Sequence, residues 1–129
     1  MIILDTHAWL WWVSLSRKLG RNARDAIDRA DRIGVCTISC WEVAMLSVRG
    51  RIALDREVES WVEQALAHPR VDAVPLTSEI AVHAALLERE DFTGDPADRI
   101  IYSSARVAGA RLITRDRRMR AFDRRTAVW

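Results

Sequence analysis

Short apolar runs alternate with longer amphipathic stretches along most of the chain. The runs have the length of β-strands and are apolar throughout, as in strands that helices cover on both faces. We predict strands at Ile2–Leu4, Val35–Ile38, Val71–Leu76, Arg111–Thr114 and Ala127–Trp129. Strands and helices that alternate in this way are typical of an α/β fold with a largely parallel sheet.

The stretches between these strands carry start and stop signals of helices. Ser39 and Glu42 form a Ser-x-x-Glu pattern, which predicts a capping box at the start of one helix. Asp95 and Pro96 predict the start of another helix, and Gly109 predicts its end. The predicted helices are Ala8–Val13, Asn22–Arg32, Ser39–Val48, Arg56–Ala67 with Asp55 as its cap, Ile80–Arg89, Pro96–Ala108 and Arg117–Phe122.

The chain has 129 residues, half of them hydrophobic, which suits one domain over residues 1–129. A chain of this length folds without a disulfide or a structural zinc. Cys36 and Cys40 have no His or Cys cluster nearby, so we expect reduced packing thiols. No apolar run approaches a membrane span, and the start of the chain lacks the pattern of a signal peptide. We therefore expect a soluble, cytoplasmic protein.

The net charge of +2 hides an uneven distribution. Between Arg111 and Arg125 there are seven arginines against two aspartates, a local net charge of +5. Such a patch attracts phosphate, and a guanidinium can bind phosphate through two hydrogen bonds. A solvated helix face is the favoured explanation of the patch alone, because the chain uses arginine almost everywhere and Lys18 is its only lysine.

Four carboxylates fall where a parallel sheet would bring strand ends together. Asp5 directly follows the first predicted strand, and Asp116 follows the fourth. Glu42 lies near the start of the helix after the second strand, and Asp98 lies in the first turn of the helix before the fourth. Open parallel sheets bind ligands beyond the carboxyl ends of their strands. The four acids meet there if the first and fourth strands are neighbours, which these patterns alone leave open.

Each of these acids also has a structural explanation. Glu42 completes the capping box, Asp98 suits a helix dipole, and Asp116 and Asp5 could each cap the following helix. Asp5 is the least comfortable structural acid, because an unpaired carboxylate at the end of a buried strand is costly. No basic residue is close to it in sequence. A divalent cation would neutralise it, and oxygen-rich acidic sites suit magnesium or manganese.

Two families that handle phosphoryl groups also place Asp after a first strand. Haloacid-dehalogenase phosphatases use Asp-x-Asp, but His7 occupies the position of the second acid here. Response-regulator receivers need an acidic pair before the phosphorylated Asp and a Lys near their end, and Lys18 is the only lysine. The sequence excludes both families.

Several stretches nevertheless match one family in order and separation. They are Leu4-Asp5-Thr6-His7-Ala8-Trp9-Leu10-Trp11, Ser39-Cys40-Trp41-Glu42-Val43-Ala44, Asp95-Pro96-Ala97-Asp98-Arg99-Ile100-Ile101, Leu112-Ile113-Thr114-Arg115-Asp116 and Val128-Trp129. Together they cover nearly the whole chain and resemble a PIN-domain ribonuclease, specifically a VapC-type toxin of a toxin–antitoxin pair. The Asp-Pro-x-Asp-Arg stretch is the strongest single match.

The resemblance implies a PIN-like three-layer α/β/α sandwich around a five-stranded parallel sheet with neighbouring first and fourth strands. It implies a site that binds Mg²⁺, or Mn²⁺ in its place, through Asp5, Glu42, Asp98 and Asp116. It also implies that the protein hydrolyses RNA and leaves a 5′-phosphate. A toxin of this kind inhibits translation and growth until a VapB-type antitoxin neutralises it. Homodimers and toxin–antitoxin hetero-oligomers are also implied.

Other residues near these acids have two interpretations each. Thr6 and Thr114 could orient metal-bound water or phosphate oxygens, or serve in capping and strand packing. Arg99 and Arg115 could contact the RNA backbone, or form salt bridges with the acids. Toxins of this type often carry a His shortly before the Asp-Pro, where this chain reads Phe92-Thr93-Gly94. That departure bears on a loop contact or substrate preference more than on catalysis.

None of the three histidines has the spacing of a general base, although His7 is nearest the acids. Trp9, Trp11 and Trp12 cannot all face one side of a helix, so at least one should lie near the surface. An exposed tryptophan there could bind an antitoxin segment or a second subunit. The main alternative to an enzyme is a catalytically silent module of the same fold that binds RNA or a protein. The two hypotheses differ in whether cleavage requires Asp5.

Overall fold

The computed structural model describes residues 1–92 and 94–129. In this part of the chain, five strands form one parallel sheet. The strands are β1 (Ile2–Leu4), β2 (Ile33–Cys36), β3 (Val71–Val74), β4 (Arg111–Ile113) and β5 (Ala127–Val128), in the order β3-β2-β1-β4-β5. In the centre, Ile2 of β1 pairs with Ile33 on one side and with Arg111 on the other. The predicted parallel sheet is confirmed, and the first and fourth strands are neighbours.

Seven α-helices connect the strands within the same residues. They are α1 (Thr6–Val13), α2 (Arg21–Arg29), α3 (Thr37–Val48), α4 (Val58–Leu66), α5 (Ser78–Leu86), α6 (Pro96–Ala108) and α7 (Arg117–Phe122), with a 3₁₀ turn at Leu87–Glu90. The predicted bounds of α6 and α7 are confirmed. Gly109 ends α6 at φ 62°, a left-handed conformation that glycine adopts without side-chain strain. No helix described is long and apolar enough to cross a membrane.

Side chains of the central strands alternate between two cores, one on each face of the sheet. Leu4 and Ile113 pack with residues of α1, α2 and α4. Ile3 and Leu112 pack on the opposite face with residues of α6 and α7. This alternation is the period of an extended strand, and it confirms the predicted three-layer α/β/α sandwich.

The predicted start of α3 is wrong. β2 ends at Cys36, two residues earlier than predicted, and the helix begins directly afterwards at Thr37. Ser39 therefore lies inside the helix, where it is fully buried and cannot act as an N-cap. The predicted capping box of Ser39 and Glu42 does not form, which leaves the Glu42 carboxylate free for another partner.

Three other helices are shorter than predicted. α4 begins at Val58, because the Asp55 side chain pairs with the Arg56 guanidinium at 2.8 Å instead of capping the helix. α2 ends at Arg29, and α5 gives way to the 3₁₀ turn after Leu86. These differences concern helix ends, where a competing side-chain contact is enough to change the outcome.

Both cysteines are free thiols, as predicted. Cys36 is buried in the core that contains Ile3 and Leu112, and this burial raises the pKa of its thiol to about 11. Burial also raises the pKa of the half-buried Cys40 thiol. Cysteine reacts as the thiolate, so these residues act as packing side chains at neutral pH.

Trp9 offers a test of the core between the sheet and α1. Its side chain is fully buried and meets Trp61 edge to face at 5.0 Å between ring centroids. We expect Trp9→Ala to lower the free energy of unfolding by about 3–5 kcal/mol, since it leaves a large cavity. Urea unfolding followed by circular dichroism measures this loss.

Trp41→Ala is the matched control, because the Trp41 side chain on α3 is 56% exposed. A substitution at such a surface position changes stability by about 0.5 kcal/mol or less. Equal losses in the two variants would show that Trp9 does not anchor this core.

Candidate active site at the carboxyl edge of the sheet

The pairing of β1 with β4 brings two of the predicted acids to one edge of the sheet. Asp5 directly follows β1, and its backbone N–H donates to the carbonyl of Ile113 in β4 at 3.1 Å. Asp116 follows β4 as the N-cap of α7. The Thr114 hydroxyl oxygen accepts from the Asp116 backbone N–H at 3.0 Å and so fixes the turn between them.

Asp5 is the N-cap of α1, which confirms the capping role predicted for it beside metal binding. Its carboxylate accepts from the Ala8 backbone N–H at 2.8 Å. Burial raises the pKa of Asp5, while the Thr114 hydroxyl and the Ala8 amide lower it and the charge of Asp116 raises it further. Asp5 is thus held in place by hydrogen bonds and forms no salt bridge among the described residues.

Glu42 projects from α3 toward the start of α1. The Thr6 hydroxyl donates to Glu42 Oε1 at 2.5 Å, and the buried Ser39 hydroxyl lies 3.0 Å from the same Thr6 oxygen. Burial raises the pKa of Glu42, and the Thr6 hydrogen bond opposes that rise. The charges of Asp95 and Asp5 raise it further. The partner of Glu42 is therefore Thr6, instead of the helix start that the sequence pattern predicted.

Asp98 is an acid whose pKa is strongly raised. It lies in the first turn of α6. Burial raises the pKa of its carboxyl to about 7, aided by the negative charges of Glu42, Asp116, Asp95 and Asp5. The charges of the other three predicted acids therefore all act on the ionisation of Asp98, as expected if the four share one site.

Asp95 is a fifth acid in this cluster, and sequence reasoning assigned it only as a helix cap. It does cap α6, since its carboxylate accepts from the Ala97 backbone N–H at 3.0 Å. Its charge also raises the pKa of both Glu42 and Asp98. The Asp-Pro-x-Asp spacing contained this signal, because residues three apart at a helix start lie on the same face.

The negative charge of this cluster is not balanced by ion pairs in residues 1–92 and 94–129. The salt bridges found there involve other acids: Asp72, Asp55, Glu88 and Asp123. Within the same residues, no three His, Cys, Asp or Glu side chains are already arranged around a common metal position. The donors are carboxylate oxygens, which suit a hard divalent cation.

The two predicted arginines of the site differ in their surroundings. Arg99 pairs with Glu88 at 2.9 Å, and its side chain is 18% exposed. Arg115 is exposed and lies over the ring of Trp11 at 5.8 Å. Neither arginine forms an ion pair with the acids of the cluster in the described part of the chain. The family departure at Phe92-Thr93-Gly94 includes Thr93, which lies outside the described residues.

A groove of about 1130 Å³ runs between α1 and α4 beside the acids and contains none of them. Trp11 and Trp12 line it and are partly exposed, whereas Trp9 is buried. The prediction that one of these three tryptophans lies near the surface is confirmed. His7 also lines the groove, and its charge lowers the pKa of Asp5.

Comparisons with known proteins agree with this fold. A model of the PIN domain family matches residues 2–125. Ribonuclease VapC22 of Mycobacterium tuberculosis is 40% identical over 130 residues, which cover 99% of this chain and 98% of that protein.

Solved structures share the same architecture at lower identity. A toxin–antitoxin complex from Klebsiella pneumoniae matches with a TM-score of 0.71 and 21% identity, over 100% of this chain and 97% of that one. VapBC2 from Rickettsia felis, bound to a DNA fragment from its promoter, matches with a TM-score of 0.69 and 15% identity, over 99% and 98%. These two likenesses concern the fold. The family match and the 40% identity go further: this chain belongs to the PIN-domain family and is of the VapC type.

Proposed function

We propose that this chain is a metal-dependent endoribonuclease, the toxin of a toxin–antitoxin pair, acting in the cytoplasm as a single PIN domain over residues 1–129. The observation that carries this proposal is the unbalanced charge at the carboxyl edge of the sheet. There the Asp98 carboxyl has a pKa of about 7, raised by burial and by the neighbouring acids. Its relative of 40% identity is named a ribonuclease.

The oxygen donors of this cluster fit Mg²⁺, with Mn²⁺ as a substitute. We assign Asp5 and Asp98 as the main ligands, and Glu42 and Asp116 as the acids that complete the shell directly or through water. When bound, the ion would neutralise charge on the phosphate and help to orient and activate an attacking water.

The other residues of the site act on the acids and on the RNA. Thr6 orients Glu42 by donating to it, and this hydrogen bond opposes the rise in the pKa of Glu42. Thr114 acts in the same way on Asp5, because its hydroxyl lowers the pKa of that carboxyl. Arg115 is exposed beside the site and suits a contact with the RNA backbone, whereas Arg99 is already paired with Glu88.

We further propose that a VapB-type antitoxin neutralises the chain and that the toxin forms homodimers and hetero-oligomers with it. Support comes from the VapC type of the chain and from structural neighbours that are toxin–antitoxin complexes. Cleavage of RNA by the free toxin would inhibit translation and growth, and the antitoxin would prevent this.

Asp5→Asn separates an enzyme from a catalytically silent module. Asparagine can still accept from the Ala8 N–H but lacks the charge that a cation needs. We expect Mg²⁺-dependent cleavage of RNA to fall by more than about 100-fold, because a direct ligand should cost more than an outer-shell partner, whose loss costs about 10–100-fold. In chelator, the variant should be at least as stable as the parent, because one repelling charge is gone.

Asp28→Asn, an exposed change on α2, is the control and should cleave RNA like the parent. Undiminished cleavage by the Asp5→Asn protein contradicts the proposed mechanism. A large loss of its stability in chelator would assign Asp5 a structural role.

Asp98 gives the chain a characteristic pH dependence of stability. Its folded pKa of about 7 lies above the usual value of 3.8, so the folded state retains a proton that the unfolded state releases between these values. The free energy of unfolding in chelator should therefore fall as the pH rises from about 4 to about 7. The free energy of unfolding of the Asp98→Asn protein should fall less over the same range. Urea midpoints at several pH values measure this, and parallel curves would refute it.

Expression in bacteria tests the toxin assignment. We expect the parent chain to arrest growth and to create new 5′ ends in a limited set of RNAs, because cleavage leaves a 5′-phosphate. The Asp5→Asn protein at the same level should do neither. Growth arrest of equal strength by both proteins would show that toxicity does not come from RNA cleavage.

A further inference from the structure

The arginines between Arg111 and Arg125 lack acidic partners in the described residues. Of the two aspartates in this segment, Asp116 caps α7. Asp123 accepts from the Tyr102 hydroxyl at 2.8 Å and pairs with Arg106, which precedes the segment. No arginine of the segment forms a salt bridge within residues 1–92 and 94–129. Their charge therefore remains available to an anionic ligand.

Three of these arginines surround one open pocket. Arg117, Arg120 and Arg124 line it together with Trp129, and its volume is about 510 Å³. Arg120 Nη2 donates to the Arg115 carbonyl at 3.4 Å, so Arg115 lies next to the pocket. The Nε of Arg120 is buried and has no hydrogen-bond partner in the described part of the chain.

Aromatic rings connect this pocket with the acid cluster. The charge of His7 acts on Asp5, so His7 lies at the cluster. Its ring lies 5.6 Å from that of Trp11, and Trp11 lies 5.9 Å from Trp129 at the pocket. Arg115 lies over Trp11 at 5.8 Å. Aromatic and cationic groups therefore follow one another without interruption from the acids to the pocket.

We propose that this arginine–tryptophan surface binds single-stranded RNA next to the phosphate that is cut. The surface consists of Trp11, Arg115, Arg117, Arg120, Arg124 and Trp129. Guanidinium groups bind phosphate through paired hydrogen bonds, and indole faces stack on bases of any sequence. An acidic protein segment could also use these charges and rings, but the surface continues from the acid cluster to which the proposed function assigns RNA cleavage, and this continuity favours RNA. The inference rests on the proposed nuclease function, which supplies the reacting phosphate.

The double variant Arg117→Gln/Arg124→Gln tests the charges of this surface. Both side chains are exposed, so their loss should leave the fold intact. For a short single-stranded RNA we expect KM to rise about tenfold, with kcat unchanged, because neither residue belongs to the acid cluster. RNA binding measured in the Asp5→Asn background should depend less on salt, with a slope smaller by up to about 1.4 for two lost phosphate contacts.

The matched control is Arg29→Gln/Arg89→Gln, which removes the same charge at two exposed arginines on α2 and the 3₁₀ turn. It should retain the parent KM and the parent salt slope. Substrate length adds a second comparison. Added nucleotides should lower KM for the parent and the control, and have little effect for Arg117→Gln/Arg124→Gln.

Trp129→Leu tests the aromatic part of the surface separately. We expect about tenfold weaker binding of the same RNA, because stacking on an aromatic ring is lost. The salt slope should not change, since no charge is removed. This difference from the arginine variant distinguishes lost stacking from a general disturbance of the pocket.

The outcomes separate this inference from the proposed function. If the parent cleaves RNA while Arg117→Gln/Arg124→Gln behaves like its control, the surface does not bind RNA and the inference is wrong. It is equally wrong if this variant keeps its RNA affinity and loses only an acidic protein partner. If the parent cleaves no RNA, the proposed function fails, and RNA binding in the Asp5→Asn background still decides the inference.

Discussion

Five carboxylates share the carboxyl edge of the sheet, and in residues 1–92 and 94–129 no arginine or lysine pairs with any of them. Their repulsion is the constraint on which the arrangement of the site depends, because it raises the pKa of Asp5, Glu42 and Asp98. Hydrogen bonds from neutral donors, such as Ala8 N–H to Asp5 and the Thr6 hydroxyl to Glu42, fix the side chains without removing the charge. The negative charge therefore remains available to the divalent cation that we propose for this site.

Structural and chemical roles coincide at the helix starts of this site. Asp5, Asp95 and Asp116 each accept a backbone N–H as the N-cap of α1, α6 and α7. The positive end of a helix dipole stabilises such a charge, which partly offsets the repulsion from its neighbours. Capping and metal binding are therefore compatible explanations for the same residue, and evidence for the first does not weaken the second.

The parts of the structure that depend on local signals were predictable. Asp95, Pro96 and Gly109 determined the bounds of α6, because each acts on the backbone beside it. The Ser39–Glu42 pattern failed, since Glu42 instead binds Thr6, 36 positions earlier in the chain. Strand order could not be predicted for the same reason, namely that it depends on long-range contacts. Apolar runs indicate that strands exist, but which strands pair is decided by contacts between distant residues. The four candidate acids were predicted from their positions at strand ends and from the family resemblance. The effect of Asp95 on the pKa of Asp98 became visible only in the folded structure.

The pairing of β1 with β4 joins residues more than a hundred positions apart, since Ile2 lies opposite Arg111. A growing polypeptide exposes Asp5 and Glu42 early, but the edge of the sheet cannot close until β4 has left the ribosome. At about 5–20 residues per second, that interval lasts several seconds. The acids at this edge therefore come together only after most of the 129 residues have been synthesised, and the activity proposed for them depends on that late step.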